Sequence, residues 1–284
     1  MPTTIPTTTS TTRPGSPSTG DAYFETDTNS YIIYDGTAWS VFNNDGRALS
    51  AVTNNLSVDF DGTTDYMDFG NNSALMPSAF TISLWLKQDS TYQNTVVQKR
   101  TGTDGYQLYF DGGTFNYSGD PTAGTIIFGT NLLTSTGVWY HVAVTHDGST
   151  VKGYVDGDFV SSASSTIASN TANLTLGRHS AGSAYYHDGK IDEFSLHNSA
   201  LDATNISQIY NDGSPIDLTT NQGNYNGSSS LVGYWRLGDG ASDTSSGGGS
   251  SASGNTIGTV VNLAASHSDG TVGGGSPEYI NDAP

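Results

Sequence analysis

Residues 137–157 read GVWYHVAVTHDGSTVKGYVDG and carry the pattern of two β-strands joined by a tight turn. Val142 and Val144 alternate with polar or smaller residues, which is the two-residue period of a strand with one buried face. Asp147-Gly148 follows, and glycine accepts the positive φ that a tight hairpin turn requires. Val151 lies in the returning strand. The stretch therefore predicts a hairpin in the core of a β-sandwich.

Similar short apolar runs, separated by turn residues, occur on both sides of this hairpin. The runs that we predict as strands are 58–62, 66–69, 80–86, 95–98, 106–110, 125–128, 159–160, 174–176 and 190–196. Strands at this spacing are typical of a two-sheet antiparallel sandwich. One short helix is predicted over 201–210, because Ile206, Ile209 and Tyr210 share one face and Asn211-Asp212-Gly213 ends it.

The composition supports an all-β chain and excludes several classes of function. The 284 residues include 35 glycines, which suits many tight turns better than long helices. The chain has 27 acidic and nine basic residues, so nucleic-acid binding is not expected, because phosphate contacts require clustered Lys and Arg. The absence of cysteine excludes disulfides and thiolate metal sites. No apolar run is long enough for membrane insertion, and residues 1–6 lack the features of a secretory signal.

Composition divides the chain into four segments. Residues 1–19 are rich in Thr, Ser and Pro and predict a flexible arm, which either stays disordered or orders on a partner. Residues 20–48 contain three aromatic-rich runs and two turn signals, which predict a small β-meander. Residues 49–218 form the predicted sandwich. Residues 219–284 are predicted as a C-terminal extension with one added edge strand, at 231–237, and a Gly/Ser-rich loop.

Several short motifs follow one another between residues 56 and 213. They are Phe60-Asp61-Gly62, Phe80-Thr81-Ile82-Ser83-Leu84-Trp85, Trp139-Tyr140-His141-Val142-Ala143-Val144, Tyr154-Val155-Asp156-Gly157, Leu176-Gly177 and Gly189-Lys190-Ile191-Asp192-Glu193-Phe194. In this order they resemble the laminin-G-like domains of the concanavalin A-like lectin/glucanase superfamily. The resemblance implies a jelly-roll sandwich of two curved antiparallel sheets.

The first 46 residues carry a second resemblance. Residues 13–24 read RPGSPSTGDAYF and residues 31–39 read YIIYDGTAW. These motifs are similar to modules in the structural proteins of tailed phages, often marine phages. The resemblance implies a virion location, on a surface appendage or the capsid exterior, with residues 20–48 as the attachment module. The implied partners are other virion proteins and further copies of this chain.

A structural calcium ion is the predicted cofactor. Ca²⁺ takes about six to eight oxygen ligands. In the related glucanase-type sandwiches, an Asp of a late strand and backbone oxygens of the first strand's turn bind calcium. The resemblance implies Asp192 as that Asp and Asp61-Gly62 as that turn, with Asp65 as a further ligand. The alternative is that Asp61-Gly62 is only a turn and that Asp192 accepts hydrogen bonds from a loop.

A glycan site is predicted in one aromatic-rich loop. Lectins stack an aromatic ring on a sugar face and bind the hydroxyl groups with polar side chains. The candidate residues are Arg178, His179, Tyr185, Tyr186 and His187. The alternative is that this loop makes ordinary packing or subunit contacts.

No catalytic residue is predicted. Glycosidases need two carboxylates that flank the scissile bond, and glutamate occurs only at positions 25, 193 and 278. The Glu-x-Asp-x-x-Glu strand motif of the glucanase relatives is absent. We therefore expect a non-enzymatic structural protein of a phage virion, a fibre or capsid-decoration subunit, that assembles as a homo-oligomer. The alternative is a carbohydrate-binding adhesin that recognises host cell-surface glycans.

Overall fold

The computed structural model describes residues 5–26, 30–43, 52–111, 114–119, 126–128, 133, 135–179, 185–264 and 268–284. The strands are β1 (Thr7–Thr8), β2 (Ala22–Glu25), β3 (Ser30–Tyr34), β4 (Trp39–Asn43), β5 (Ser57–Asp61), β6 (Tyr66–Asp68), β7 (Phe80–Gln88), β8 (Asn94–Thr101), β9 (Asp104–Asp111), β10 (Thr114–Ser118), β11 (Ile126–Ile127), β12 (Tyr140–His146), β13 (Thr150–Val155), β14 (Asp158–Ser164), β15 (Thr175–Leu176), β16 (Asp188–His197), β17 (Leu231–Trp235), β18 (Thr259–Val260), β19 (Gly270–Gly274) and β20 (Glu278–Ile280). The helices are α1 (Ala203–Tyr210) and the 3₁₀ turns Ser73–Leu75, Asn211–Gly213 and Ser228–Ser230.

Two antiparallel sheets pack against each other and enclose the main core. Sheet A has the strand order β11-β10-β9-β8-β15-β6-β19-β18. Sheet B has the order β14-β13-β12-β7-β16-β5-β20, and β17 also pairs with β16. Phe110 of sheet A and Leu84 of sheet B are among the fully buried residues of the core between them. The prediction of an all-β, two-sheet antiparallel sandwich is therefore confirmed.

The hairpin of residues 137–157 forms as β12 and β13, but both of its faces are buried. Val142 and Val144 are fully buried in the main core. Ala143, between them, is also fully buried, in a second apolar cluster with Ile206 and Ile209 of α1. The alternating pattern predicted one buried face, because it cannot show that a helix later in the chain covers the other.

The predicted helix forms as α1, with its local end signals in place. The Asp202 carboxylate accepts a hydrogen bond of 2.9 Å from the backbone N–H of Asn205 and caps the first turn. Asn211 ends the helix in the left-handed conformation, at a φ of 46°. The Tyr210 ring lies 5.6 Å from the Trp85 ring, so the helix packs on the outer face of sheet B. The described part of the chain contains no helix that is both long and apolar enough to span a bilayer.

The C-terminal residues belong to the sandwich. β19 pairs with β6 in sheet A, and β20 pairs with β5 in sheet B. β17 pairs with β16 alone, as expected of the predicted added strand, and its Trp235 is fully buried. The predicted boundary at residue 218 therefore does not separate two structural units. The prediction missed this because pairing between strands far apart in sequence leaves no local pattern.

The N-terminal residues form their own four-stranded sheet, in the order β1-β2-β3-β4. β2, β3 and β4 are the predicted meander. β1 comes from the predicted flexible arm and pairs in parallel with β2, and Arg13 donates hydrogen bonds to the fully buried Glu25 carboxylate. Residues 6–8 of the predicted arm thus add a strand to the open edge of β2, along which backbone N–H groups donate to the carbonyls of Pro6 and Thr8. Residues 1–4, 27–29 and 44–48 of these two predicted segments lie outside the described residues.

Candidate functional site

The outer face of sheet A carries polar and aromatic side chains in register. In β9, Tyr106, Leu108 and Phe110 enter the core, so Gln107 and Tyr109 between them point outward. Six polar side chains form one row across consecutive strands of this face. In register order they are Ser118, Gln107, Gln98, Thr175, Asp68 and Thr271. The strands therefore place hydrogen-bonding groups side by side on this face, where Gln107, Gln98 and Thr175 are buried and Ser118, Asp68 and Thr271 are not.

Tyr66 and Arg178 stack on each other beside this row. The guanidinium carbon of Arg178 lies 3.9 Å from the centroid of the Tyr66 ring, which is the geometry of a cation–π contact. The Tyr66 ring also lies against the backbone of β19. A Cβ at Gly273 would lie 2.0 Å from Tyr66 Cε2, and one at Gly274 would lie 2.5 Å from Cε1. The two glycines thus leave the space that the ring occupies.

The segment after β15 adds two more aromatic side chains. The Tyr185 carbonyl accepts a hydrogen bond of 2.9 Å from the Thr95 N–H of β8, which fixes this segment to sheet A. The ring of Tyr185 lies edge-to-face with His179, with 5.8 Å between the ring centroids. Tyr185 is 45 % exposed and has a φ of 65°, a conformation that non-glycine residues rarely adopt. Tyr186 is half-buried. We call Tyr66, Asp68, Arg100, Arg178, His179 and Tyr185 the Tyr66–Arg178 face.

Arg100 brings a second guanidinium to this face. It donates hydrogen bonds to Gln107 Oε1 at 3.3 Å and to Ser118 Oγ at 3.0 Å. Burial, and secondly the positive charge of Arg100, lower the pKa of His179. His179 is therefore uncharged at neutral pH, and the positive charge of the face comes from Arg100 and Arg178.

His187 does not belong to this face, and its inclusion in the predicted glycan site is corrected. Its side chain is fully buried, and its Nδ1 lies 3.0 Å from Asn94 Oδ1. Its ring packs against the ring of Phe60 inside the sandwich, with the centroids 5.9 Å apart. Burial lowers the pKa of His187 to about 4. In a regular strand residues 185 and 187 would point to the same side, but the left-handed backbone of Tyr185 interrupts that alternation.

The four predicted calcium ligands do not come together. Asp61 of β5 pairs in register with Asp188 of β16. Asp192 lies four residues further along β16, which is about 13 Å at the rise of a strand. Gly62 donates its backbone N–H to the His187 carbonyl and turns the chain at a φ of 70°. The described part of the chain contains no group of three or more His, Asp or Glu side chains placed to hold a metal ion.

The oxygens of these carboxylates already accept hydrogen bonds from the protein. Asp61 accepts backbone N–H groups of its own turn, including that of Asp65 at 3.0 Å, and these bonds hold its pKa below the usual range. Asp65 accepts the Ser276 N–H at 2.6 Å. Asp192 accepts from Asn54 Nδ2 at 2.9 Å. N–H donors thus point at the oxygens that a cation would need, so these residues do not fit calcium, and Asp61-Gly62 acts as a turn.

The glutamates lie on separate elements. Glu25 is on β2, Glu193 is buried in β16 and Glu278 is on β20. Within the polar row of sheet A, Asp68 is the one carboxylate, and Asn173 Nδ2 donates to both of its oxygens, at 3.0 and 2.9 Å. An acid/base pair of the kind that glycosidases use is therefore not assembled by these residues.

The chain matches one protein family over much of the sandwich. The Laminin_G_3 profile of the concanavalin A-like lectin/glucanases superfamily matches residues 61–207, slightly more than half of the chain. The chain belongs to this superfamily. The match includes Tyr66 and Arg178, whereas β17 to β20 of this Laminin_G_3 sandwich lie beyond it.

Solved structures share this fold at low sequence identity. A Bacteroides ovatus ATCC 8483 protein whose suggested role is carbohydrate binding has a TM-score of 0.59 and 15% identity, over 94% of this chain and 71% of its own. Domain 4 of AbnA, an extracellular arabinanase of Geobacillus stearothermophilus solved with arabinotriose, has a TM-score of 0.45 and 18% identity, over 59% of this chain and 82% of its own. At these identities the likeness to the first shows the fold alone. No curated protein matches the sequence.

Sequence reasoning found three residues of the Tyr66–Arg178 face and missed the other three. Arg178, His179 and Tyr185 were identified from one loop. Tyr66 and Asp68 were identified only as part of a strand, although their alternation with buried Met67 marks them as outward-facing. No local pattern in the sequence shows that β6 lies beside β15. This pairing brings Tyr66 under Arg178.

Proposed function

We propose that this chain is a non-enzymatic carbohydrate-binding module that recognises host cell-surface glycans at the Tyr66–Arg178 face. The observation that carries the proposal is the exposed ring of Tyr185, which packs on His179, the residue after the Arg178 whose guanidinium stacks on Tyr66. A sugar ring has apolar faces that pack on an aromatic side chain and polar edges that need hydrogen bonds. Ser118, Asp68 and Thr271, the members of the polar row that are not buried, offer such groups. The superfamily and the suggested role of the Bacteroides ovatus protein support the same function.

The module is displayed, in this proposal, as a homo-oligomeric structural subunit on the surface of a tailed-phage virion. The resemblance of the first 46 residues to phage structural modules supports this location. The N-terminal sheet β1–β4 supports assembly, because a sheet of so few residues buries little core and gains stability from a partner surface. Ile33 on this sheet is 38 % exposed and lies in register with Ala22, so its face offers an apolar contact.

Glycan binding is tested by an array of bacterial surface oligosaccharides probed with the purified chain and with Tyr185→Ala. We expect saturable binding by the wild type and at least a ~5-fold weaker signal from Tyr185→Ala, because the variant loses the aromatic platform. Phe159→Ala is the matched control, since Phe159 is 54 % exposed but lies on β14 of the other sheet. The proposal fails if no glycan binds, or if both variants weaken binding equally.

Assembly is tested by light scattering of the purified protein. We expect a mass of two or more times 29.7 kDa, and dissociation on Ile33→Asp, because a charge at an apolar contact cannot be desolvated without cost. Val138→Asp, at a position of the sandwich that is 44 % exposed, is the control and should keep the oligomer. A wild-type monomer at micromolar concentration would contradict the homo-oligomer.

A further inference from the structure

We infer that the Tyr66–Arg178 face selects glycans that carry an anionic group, a carboxylate or a sulfate, and that Arg178 binds this group. The inference rests on the proposed carbohydrate-binding function and adds the class of sugar that the site takes.

Arg178 differs from four other basic side chains of the described chain, each of which forms an ion pair with a carboxylate. Those four are Arg13, Lys87, Lys190 and Arg236. The guanidinium of Arg178 instead covers the neutral ring of Tyr66, and its Nε is buried without a hydrogen-bond partner among the described residues. A charged donor that is removed from water and left without an acceptor is unfavourable. A ligand can offset this cost only at the terminal nitrogens of the guanidinium, because Nε itself is buried.

The orientation of this guanidinium is fixed before any ligand binds. One side of its plane lies over the Tyr66 ring, and that ring is itself held in the space above Gly273 and Gly274. Stacking uses the flat face of the guanidinium and leaves its edge for hydrogen bonds. That edge is a planar fork of N–H donors that matches two oxygens of a carboxylate or sulfate with two parallel hydrogen bonds. A sugar hydroxyl offers one oxygen and fits the fork less well.

The surrounding charges also favour an anion. Arg100 adds a second positive charge near His179. Asp68 is the opposing charge, and Asn173 Nδ2 and the Gly70 N–H already donate to its carboxylate. The net charge of −18 acts from further away, and at physiological ionic strength charges beyond about 8 Å are largely screened. The local excess of guanidinium groups therefore governs which ligand charge the site accepts.

These features together describe how an acidic sugar would bind. Its ring packs on the exposed Tyr185, and its carboxylate or sulfate accepts hydrogen bonds from the edge of Arg178. A neutral sugar would use the same ring contact but would leave the Arg178 guanidinium without an anionic acceptor. Tyr185 therefore binds the ring of either kind of sugar, and Arg178 selects for the anionic one.

The test is isothermal titration of the full chain with three oligosaccharide sets of equal length: neutral, carboxylated with uronic or sialic acid, and sulfated. We expect the wild type to bind at least one anionic set about 10-fold or more tightly than the neutral set. Arg178→Gln should bring the affinity for the anionic set to within about 3-fold of the same variant's affinity for the neutral set. Lys152→Gln, which removes an exposed charge from β13 of sheet B, is the matched control and should change neither value.

The outcomes separate this inference from the proposed function. Equal affinity of the wild type for neutral and anionic sets would overturn the inference and keep the carbohydrate-binding function. Absence of saturable binding to every set would overturn both. Arg178→Lys is a second variant that keeps the positive charge but loses the planar set of guanidinium N–H donors. It separates the loss of these donors from a general effect of replacing Arg178. An anionic preference between those of the wild type and Arg178→Gln supports the inference, and an unchanged preference in Arg178→Gln overturns it.

Discussion

Replacement of Trp235 by alanine is expected to lower the free energy of unfolding by about 3–5 kcal/mol. The Trp235 ring is fully buried, stacks on Phe194 with 5.1 Å between centroids and meets Phe69 at 4.6 Å. A Cβ at Gly233 would lie 2.3 Å from this ring, so β17 itself is shaped to hold it. The substitution leaves a cavity between the two sheets. The hydrogen-bonded strands around it cannot move enough to fill it. Urea unfolding followed by tryptophan fluorescence and circular dichroism measures the change.

Trp139→Ala is the matched control for this prediction. Trp139 is half-buried, and its indole N–H donates to Asp282 Oδ1 at 3.1 Å near the surface. Its loss should cost less than half as much as the loss of Trp235, because less area leaves the interior. Equal effects of the two substitutions would contradict the conclusion that the residues after 218 complete the core.

Replacement of Arg236 by methionine is also expected to cost about 3–5 kcal/mol, because it leaves buried negative charge without its cation. Arg236 Nε donates to Glu193 Oε1 at 2.7 Å, and the Tyr234 hydroxyl donates to the same carboxylate. Asp192, the preceding residue, is fully buried as well. Burial raises the pKa of Glu193 to about 7, against the opposing effect of Arg236, and burial together with the Glu193 charge raises the pKa of Asp192 well above its usual range.

The raised pKa of Glu193 gives this prediction a pH dependence with a definite sign. Between the unfolded value of 4.5 and the folded value of about 7, the folded state binds more protons than the unfolded state. The free energy of unfolding of the wild type therefore decreases as the pH rises through this window. Arg236→Met removes the cation that favours the charged form, so its deficit should be larger at pH 8 than at pH 5.

Two further variants separate charge burial from simple loss of packing. The double variant Glu193→Gln with Arg236→Met should recover most of the stability, because no charge of the pair remains buried. Lys190→Met removes a cation that lies 2.9 Å from Asp89 and 3.4 Å from Asp59, both of which are partly exposed, and should cost about 1 kcal/mol or less. A double variant as unstable as Arg236→Met alone would contradict the electrostatic explanation.

The residues of the candidate site were only partly predictable from the sequence. Arg178, His179 and Tyr185 were identified because they lie in one polar, aromatic loop, and the structure packs His179 against Tyr185 and Arg178 on Tyr66. His187 was included by proximity in sequence alone, and the positive φ of Tyr185 sends its side chain into the core instead. Tyr66 was missed because its partner, Arg178, follows β15, a strand that lies beside β6 only in the folded sheet. Spacing along the chain carries no information on such neighbours.

The short-range features of this protein follow from its residue types. Asp147-Gly148 turns the hairpin between β12 and β13, Asp202 caps α1, and the alternation of apolar residues marks the strands. Such features depend on backbone preferences and hydrogen bonds within a few residues. Tertiary structure alone decided that β19 and β20 complete the two sheets, that α1 buries the second face of β12, and that Tyr66 lies under Arg178. These contacts join residues that are far apart in sequence. They form because apolar surface is buried, and open strand edges are paired, only when the whole chain packs together.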